Sequence, residues 1–335
     1  MSNLRTVVVL FTVLSVGGIA AGMKLGFLSK FFERPLPPSD EAASEQDSAD
    51  LAELVQQFPG KIVFDSNRSG SFGIYSMRAD GSAVQELFNS EQEDIYPDVS
   101  RDGEHIVFAR AESNQRTAKS SIWIMQSDGS DSRKLADDGT FPSFSADGST
   151  VYFERGRAKV IAVELDKGGE REIFPAGSKD FGSYDVIKPR VSPDGISVAF
   201  ISDKKGRWNT WIANLQTGEL QHLHEGCEPA WFPDGEALAW IKTSGTNERS
   251  GMYRYGLSDK SIKALADYGP PRGHEYFPTI AAGGKYLLFA SCREGEHDHI
   301  TANYQIFVKD IENDKRFRIT FDNYTNRWPK LLPSN

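Results

Sequence analysis

The stretch YPDVSRDGEHIVFAR, residues 96–110, decides the fold because nearly the same phrase occurs four more times in the chain. The other copies are FPSFSADGSTVYFER (141–155), KPRVSPDGISVAFIS (188–202), EPAWFPDGEALAWIK (228–242) and FPTIAAGGKYLLFAS (277–291). In every copy a proline lies six residues before a glycine, which lies five residues before a large aromatic residue. A sixth such proline, Pro329, follows, and successive repeat prolines are 40 to 51 residues apart. The chain therefore consists largely of one repeated unit.

Each unit predicts four antiparallel strands. The phrase supplies two short apolar runs joined by Asp-Gly, a strong hairpin signal because glycine tolerates the positive φ of a tight turn. A third run follows, such as SIWIMQSDG (121–129), and then a fourth, such as RFRITF (316–321). Four strands at this period are typical of a β-propeller blade.

The two ends of the repeat region complement each other. KIVFDSN (61–67) matches the second strand of a unit, and the missing first strand is found in WPKLLPSN (328–335). The predicted fold is therefore all-β: a six-bladed β-propeller of four-stranded antiparallel blades, closed by strands from both ends of the chain.

The first 60 residues differ from the repeats. No charge occurs in residues 7–23, which favours an N-terminal transmembrane helix within residues 1–30 over a cleaved signal peptide, although the latter remains open. Residues 31–60 form an acidic, proline-containing linker that ends in a short amphipathic helix, since Leu51, Leu54, Val55 and Phe58 share one helical face. The predicted propeller occupies residues 61–335.

Charge and cysteine content restrict the function classes. A net charge of −9 over 335 residues argues against general nucleic-acid binding, which needs a basic surface. Two cysteines, Cys227 and Cys292, rule out a disulfide framework. Buried free thiols are favoured over a disulfide between them.

The repeats resemble those of the TolB-like propeller family. The resemblance is carried by P-x-(apolar)-S-x-D-G followed by a strand, by IYSMRADGS (74–82), and most fully by FDSNRSGSFGIYSMRADGSAVQELF (64–88). It covers residues 61–335 and implies a propeller in the periplasm of a Gram-negative bacterium. TolB itself has an α/β domain before the propeller, where this sequence has only a linker and a helix.

Candidate binding residues fall in two places. The residue after each repeat proline begins a first strand, so Asp98, Arg190 and Lys330 are predicted in a polar collar at the mouth of the central channel. The long, variable loops of one face supply the rest: Arg272, His274, Arg293, His297 and His299. Structural ion pairs and exposed histidines are the competing interpretations.

The sequence favours a non-catalytic protein over an enzyme, because no nucleophile elbow is found and no cofactor is indicated. The predicted function is binding or scaffolding in the cell envelope, from a single-pass inner-membrane anchor with the propeller in the periplasm. The partner would be an envelope protein or a cell-wall-associated ligand. The alternative is a metal-dependent lyase or hydrolase acting on an anionic polysaccharide, with the histidine loops and the basic residues of the collar as its site.

Overall fold

A computed structural model of the protein describes residues 45–115, 118–175, 181–206, 208–244, 249–269, 271–296 and 298–334. Most of these residues lie in β-strands. One α-helix, α1, is found among them and spans Glu45–Gln57. The strands, in chain order, are β1 (Gly60–Ser66), β2 (Gly73–Arg78), β3 (Gln85–Phe88), β4 (Glu93–Val99), β5 (His105–Ala111), β6 (Ser120–Gln126), β7 (Arg133–Asp137), β8 (Thr140–Phe144), β9 (Thr150–Arg155), β10 (Lys159–Glu164), β11 (Glu170–Phe174), β12 (Ile187–Val191), β13 (Ser197–Ser202), β14 (Asn209–Asn214), β15 (Leu220–Glu225), β16 (Cys227–Trp231), β17 (Ala237–Ser244), β18 (Arg249–Gly256), β19 (Ile262–Ala266), β20 (Arg272–Ala281), β21 (Tyr286–Arg293), β22 (Gln305–Asp310), β23 (Lys315–Arg318) and β24 (Asn326–Pro333).

The strands pair antiparallel in groups of four. Four separate sheets have the orders β24-β1-β2-β3, β4-β5-β6-β7, β8-β9-β10-β11 and β12-β13-β14-β15. The groups β16–β19 and β20–β23 are joined into one larger sheet by a parallel pairing of Ser250 with His274. The C-terminal strand β24 pairs with β1, where Ile62 stands opposite Leu331. We call β4, β8, β12, β16, β20 and β24 the first strands, and their partners β5, β9, β13, β17, β21 and β1 the second strands.

The aromatic position of the repeat forms the core. The six side chains at this position in the second strands are all buried: Phe64, Phe108, Phe153, Phe200, Trp240 and Phe289. Trp231, in the first strand β16, is only half-buried, and its indole Nε1 donates to the carbonyl of Arg190 at 2.8 Å. The two cysteines do not form a disulfide; Cys292 is buried and Cys227 is partly exposed.

Each first strand carries a β-bulge at its repeat proline. In β4 the ladder pairs Ile95 with Ala109 and then Asp98 with Val107, so Tyr96 and Pro97 together stand opposite Phe108. The same two-against-one register occurs in the other first strands. Proline suits this place because it has no N–H to offer the ladder. The bulge therefore lies opposite the repeat aromatic residue, which explains the fixed spacing in the sequence.

The predicted amphipathic helix is present as α1. Leu51 and Leu54 are buried against Phe317 and Ile319, and Phe58, just after the helix, lies 5.3 Å from the ring of Tyr286. Since a helix of this length is marginal alone in water, tertiary contacts must stabilise it.

The helix found among these residues, α1, is too short and too polar to cross a membrane. The predicted anchor in residues 1–30 lies outside the described residues.

Candidate functional site

Six side chains converge where the first strands meet, and each belongs to the residue directly before a repeat proline. We call these six the pre-proline cluster: Tyr96, Phe141, Lys188, Glu228, Phe277 and Trp328. All six have positive φ angles, between 49° and 63°. Such angles are uncommon outside glycine and cost of order 1–3 kcal/mol each. The bulge imposes this conformation, and it reverses the usual alternation of side chains along the strand.

Four members of the cluster are aromatic and contact one another. The rings of Tyr96 and Phe141 stack at 4.1 Å between centroids, and Trp328 meets them edge-on at 5.2 Å and tilted at 5.7 Å, respectively. The Phe277 ring lies 4.8 Å from the Trp328 ring, between centroids, and is tilted against it. These rings form one apolar floor.

The remaining two members are an ion pair. The ammonium of Lys188 bonds to the carboxylate of Glu228, whose side chain is only 1% exposed. The same ammonium lies 5.3 Å from the ring centroids of both Phe141 and Trp328, within cation–π range. A single cation is thus held by two aromatic faces and one buried carboxylate.

A cavity of about 1090 Å³ lies above this floor. Its walls are the loops after the second strands and the segments that lead into the first strands. Besides the floor, it is lined by polar groups of both signs: Lys119, Asp138, Glu154, Arg157, Asp203, Glu225, Asp298 and Arg327. A concave, partly aromatic site with a few polar groups is the usual form of a ligand site.

Buried carboxylates hold the backbone of the bulges. Asp65 Oδ2 accepts from the amide of Tyr96 at 3.0 Å, and Glu228 Oε2 accepts from the amide of Phe277 at 2.8 Å. Asp65 also pairs with the buried Arg327, whose Nε lies 2.9 Å from Oδ1. These bonds fix the orientation of the floor.

Glu154 holds the bulge backbone at Lys188 in the same way, and it also lines the cavity. Its Oε2 accepts from the Lys188 amide at 2.9 Å, and the residue is 2% exposed. Burial raises the pKa of Glu154 from 4.5 to about 7, while the Lys188 amide and the Arg157 charge act in the opposite direction. This carboxyl therefore changes charge near neutral pH.

The three residues of the predicted collar lie close together, and each follows a member of the pre-proline cluster by two residues along its strand. None of them lines the cavity. Lys330 Nζ is 3.1 Å from Asp98 Oδ1, and the Arg190 guanidinium donates to the carbonyl of Pro189 at 2.8 Å. Burial lowers the pKa values of Lys330 and Arg190. The contact between Lys330 and Asp98 matches the alternative of a structural ion pair, and a role of the three residues in partner binding stays a prediction.

Two residues predicted in a variable loop lie in a strand instead. Arg272 and His274 belong to β20 and are buried, so the predicted loop position was wrong for both, and the competing interpretation of an exposed histidine was wrong for His274. Arg272 Nη1 donates to the carbonyl of Ser291 at 2.7 Å, and His274 Nδ1 lies 3.3 Å from Ser250 Oγ. The strand begins early because His274 pairs with both Ser250 and Cys292.

The other loop residues are separated. His299 lines the cavity, and its ring lies 4.4 Å from that of Tyr276. Arg293 ends β21, and His297 lies outside the described residues. Among those described, the ligand atoms close enough to share a metal ion belong to Asp102, Glu104 and His105. That group is a hairpin turn in which Asp102 already accepts from the Ser100 hydroxyl, so the histidine loops gain no support as a metal site.

The fold defines the class of protein: an all-β propeller of four-stranded antiparallel sheets. The chain is 29% identical to a TolB homolog from Chlorobium luteolum over 180 residues, which are 52% of this chain and 39% of that one. A TolB homolog from Chlorobium chlorochromatii is 27% identical over 172 residues, or 48% of this chain and 36% of that one. The crystal structure of TolB from Acinetobacter baumannii superposes with a TM-score of 0.64 at 16% identity, covering 82% of this chain and 67% of that one.

These matches confirm the resemblance of the chain to the TolB-like propeller family. No family model matches the sequence. Because the chain spans about two fifths of the TolB homologs' length, the activity and partners of a whole TolB protein do not transfer with the fold.

Sequence reasoning missed the pre-proline cluster, although a signal was present. The residue before the repeat proline reads Tyr, Phe, Lys, Glu, Phe and Trp along the chain. A mainly aromatic position that also admits one cation and one anion is unusual for a core. Only the bulge, however, shows that these side chains meet.

Proposed function

We propose that this protein is a six-bladed propeller, closed by the pairing of β24 with β1, that binds a protein partner of the cell envelope without catalysing a reaction. The contact surface is the cavity over the pre-proline cluster together with the loops around it. Residues 1–30 anchor the chain in the inner membrane, and the propeller, residues 61–335, lies in the periplasm.

One observation carries the proposal: the floor of the cavity is built from backbone held in a costly conformation. Six non-glycine residues with positive φ bring four aromatic rings and an ion pair to one place. Strained backbone of this kind is kept where side-chain placement matters for function. The cavity above it is of the size that takes a peptide segment or a small ligand.

The opposite face, as far as the structure describes it, consists largely of uniform hairpin turns. Its Asp-Gly hairpins are short and internally bonded: Asp102, Asp147 and Asp194 each accept from a serine hydroxyl two residues earlier. These bonds hold the pKa values of the three carboxyls below their usual range, mainly through the serine hydroxyls. This uniformity supports a structural role for that face and leaves recognition to the other one.

The test is site-specific photocrosslinking in the native host, with p-benzoylphenylalanine at Asn114 in the cavity wall or at the exposed Glu104 on a hairpin. We expect one discrete protein adduct from position 114 and none from position 104. Trp208→Ala, which removes a half-buried ring from the cavity wall, should abolish the adduct, whereas Glu104→Ala should not. An adduct from position 104 alone, or adducts that survive Trp208→Ala, would place binding elsewhere.

A further inference from the structure

The floor of the cavity already holds a cation that belongs to the chain itself. Lys188 places its ammonium over Phe141 and Trp328 and against the carboxylate of Glu228. This arrangement of aromatic faces and one anion is the general solution for binding an ammonium or guanidinium group. The side chain is half-buried, and it reaches the floor from the first strand of its own group.

The walls of the cavity keep negative charge available. Two arginines in the lining form ion pairs with carboxylates: Arg157 pairs with Asp185, and Arg327 pairs with Asp65. Asp298 Oδ1 accepts from the amides of Ile300 and Thr301. These bonds, chiefly the one from Ile300, lower the pKa of Asp298. Neutral amide donors leave the charge of such a carboxylate in place, so it still attracts a cation.

We propose that the cavity floor is a subsite for a cationic group, an ammonium or guanidinium presented by the partner polypeptide, and that Lys188 is its internal stand-in. The partner's cation replaces the Lys188 ammonium over Phe141 and Trp328 and pairs with Glu228. This inference rests on the proposed function, because the cation belongs to the bound partner. It also gives Lys188 a regulatory part, since the side chain competes with the ligand.

A cation subsite and an anion site predict opposite changes in ligand affinity when Lys188 is removed. If the cavity bound an anionic group, Lys188 would be the binding residue, and its removal would abolish binding. If the cavity binds a cation, removing Lys188 frees the two rings and leaves Glu228 without its charge partner, with the Phe277 amide still bonded to it. The affinity for a cation should then rise.

The experiment measures binding of three labelled peptides, acetyl-Gly-Ser-X-Ser-Gly-amide with X as lysine, norleucine or glutamate, by fluorescence anisotropy on the full chain. We expect Lys188→Met to bind the lysine peptide about tenfold more tightly than the native protein. The norleucine and glutamate peptides should show no such gain. Glu228→Gln added to Lys188→Met should remove most of it.

Lys119→Met is the matched control, because Lys119 lines the same cavity but is exposed and in a loop. Removal of a positive charge anywhere near the mouth raises the affinity for cations slightly, so only a gain clearly larger than that of Lys119→Met supports the subsite. Phe141→Leu, which breaks no ion pair, should weaken binding of the lysine peptide about threefold or more and keeps the test valid if Lys188→Met folds poorly.

Weaker binding of the lysine peptide by Lys188→Met, equal gains for both lysine variants, or no lysine selectivity in any folded variant would overturn the inference. A native preference for the glutamate peptide that Lys188→Met abolishes would show an anion site instead. If these results came together with a specific adduct from position 114, the binding function would stand and only its cationic chemistry would fall.

Discussion

Glu154→Gln tests whether the cavity carboxyl is held out of water. The side chain is almost fully buried, and its pKa is raised from 4.5 to about 7 by that burial. Glutamine has nearly the same shape, and its carbonyl oxygen can still accept from the Lys188 amide. The substitution therefore removes the charge while the hydrogen bond remains.

The sign of the effect follows from proton binding in the two states. Below pH 4.5 the folded and unfolded states both carry the proton, and Glu154 contributes no pH dependence. Between pH 4.5 and about 7 the folded state keeps a proton that the unfolded state has lost, so stability falls as the pH rises. The loss levels off above pH 7, as the folded state also releases its proton. One pH unit corresponds to about 1.4 kcal/mol, so the full difference between pH 4.5 and about 7 is at most about 3–4 kcal/mol.

Urea unfolding of the native protein and of Glu154→Gln at pH 5, 6, 7 and 8 measures this difference. The free energy of unfolding of the variant should rise relative to that of the native protein with each step, and exceed it by up to about 3–4 kcal/mol at pH 8. The exposed Glu104→Gln is the control and should show no such trend. A constant difference across the range, or a native protein that gains on the variant as the pH rises, would refute the assignment of a desolvated carboxyl.

Three further substitutions test the packing that supports the site. Asp65→Asn leaves the buried Arg327 without its charge partner and should cost about 3–5 kcal/mol in chemical denaturation, whereas Asp137→Asn, in an exposed pair with Lys134, should change stability by less than about 1 kcal/mol. Gly226→Ala places a Cβ 2.3 Å from the Ile241 carbonyl oxygen and should destabilise the fold far more than Gly195→Ala, where φ is also positive but the Cβ meets no atom within 4 Å. Similar losses of stability in the two variants would show that the positive φ alone determines the cost. Leu54→Ala should weaken the packing of α1 against the strands by about 2–5 kcal/mol, so that α1 is cleaved by protease before the rest of the described chain. Simultaneous cleavage throughout would contradict this.

The strands were predictable from the sequence because turn and burial signals agree within each repeat. Asp-Gly at the hairpins, alternating apolar runs, and a buried aromatic such as Phe108 all point to the same four-stranded unit. The helix α1 was predictable for a similar reason, since Leu51, Leu54 and Phe58 mark a single apolar face. Local signals were sufficient wherever they did not conflict.

The site was harder to predict, because it depends on pairings between distant residues. His274 reads as a loop residue in PRGHEYF, but its pairing with Ser250, 24 residues earlier in the chain, places it in a strand. Glu154 reads as one of many acidic residues, and only its approach to the Lys188 amide, 34 residues away, reveals its role. Such contacts follow from how the sheets pack, which a single sequence does not state.

The spacing that identifies the repeat also determines where ligand chemistry can vary. A proline six residues before the turn glycine and an aromatic five residues after it are what place the bulge opposite the buried ring, as Pro97 lies opposite Phe108. Both of these positions are fixed by the fold. The residue before the proline is not fixed, because its side chain leaves the sheet. Four aromatic residues and Lys188 line the cavity from this position, and the sixth residue, Glu228, is buried beneath it as the ion-pair partner of Lys188. A protein with this repeat can therefore change what its cavity binds by substitution at six positions, while the strands, the bulges and the core remain as they are.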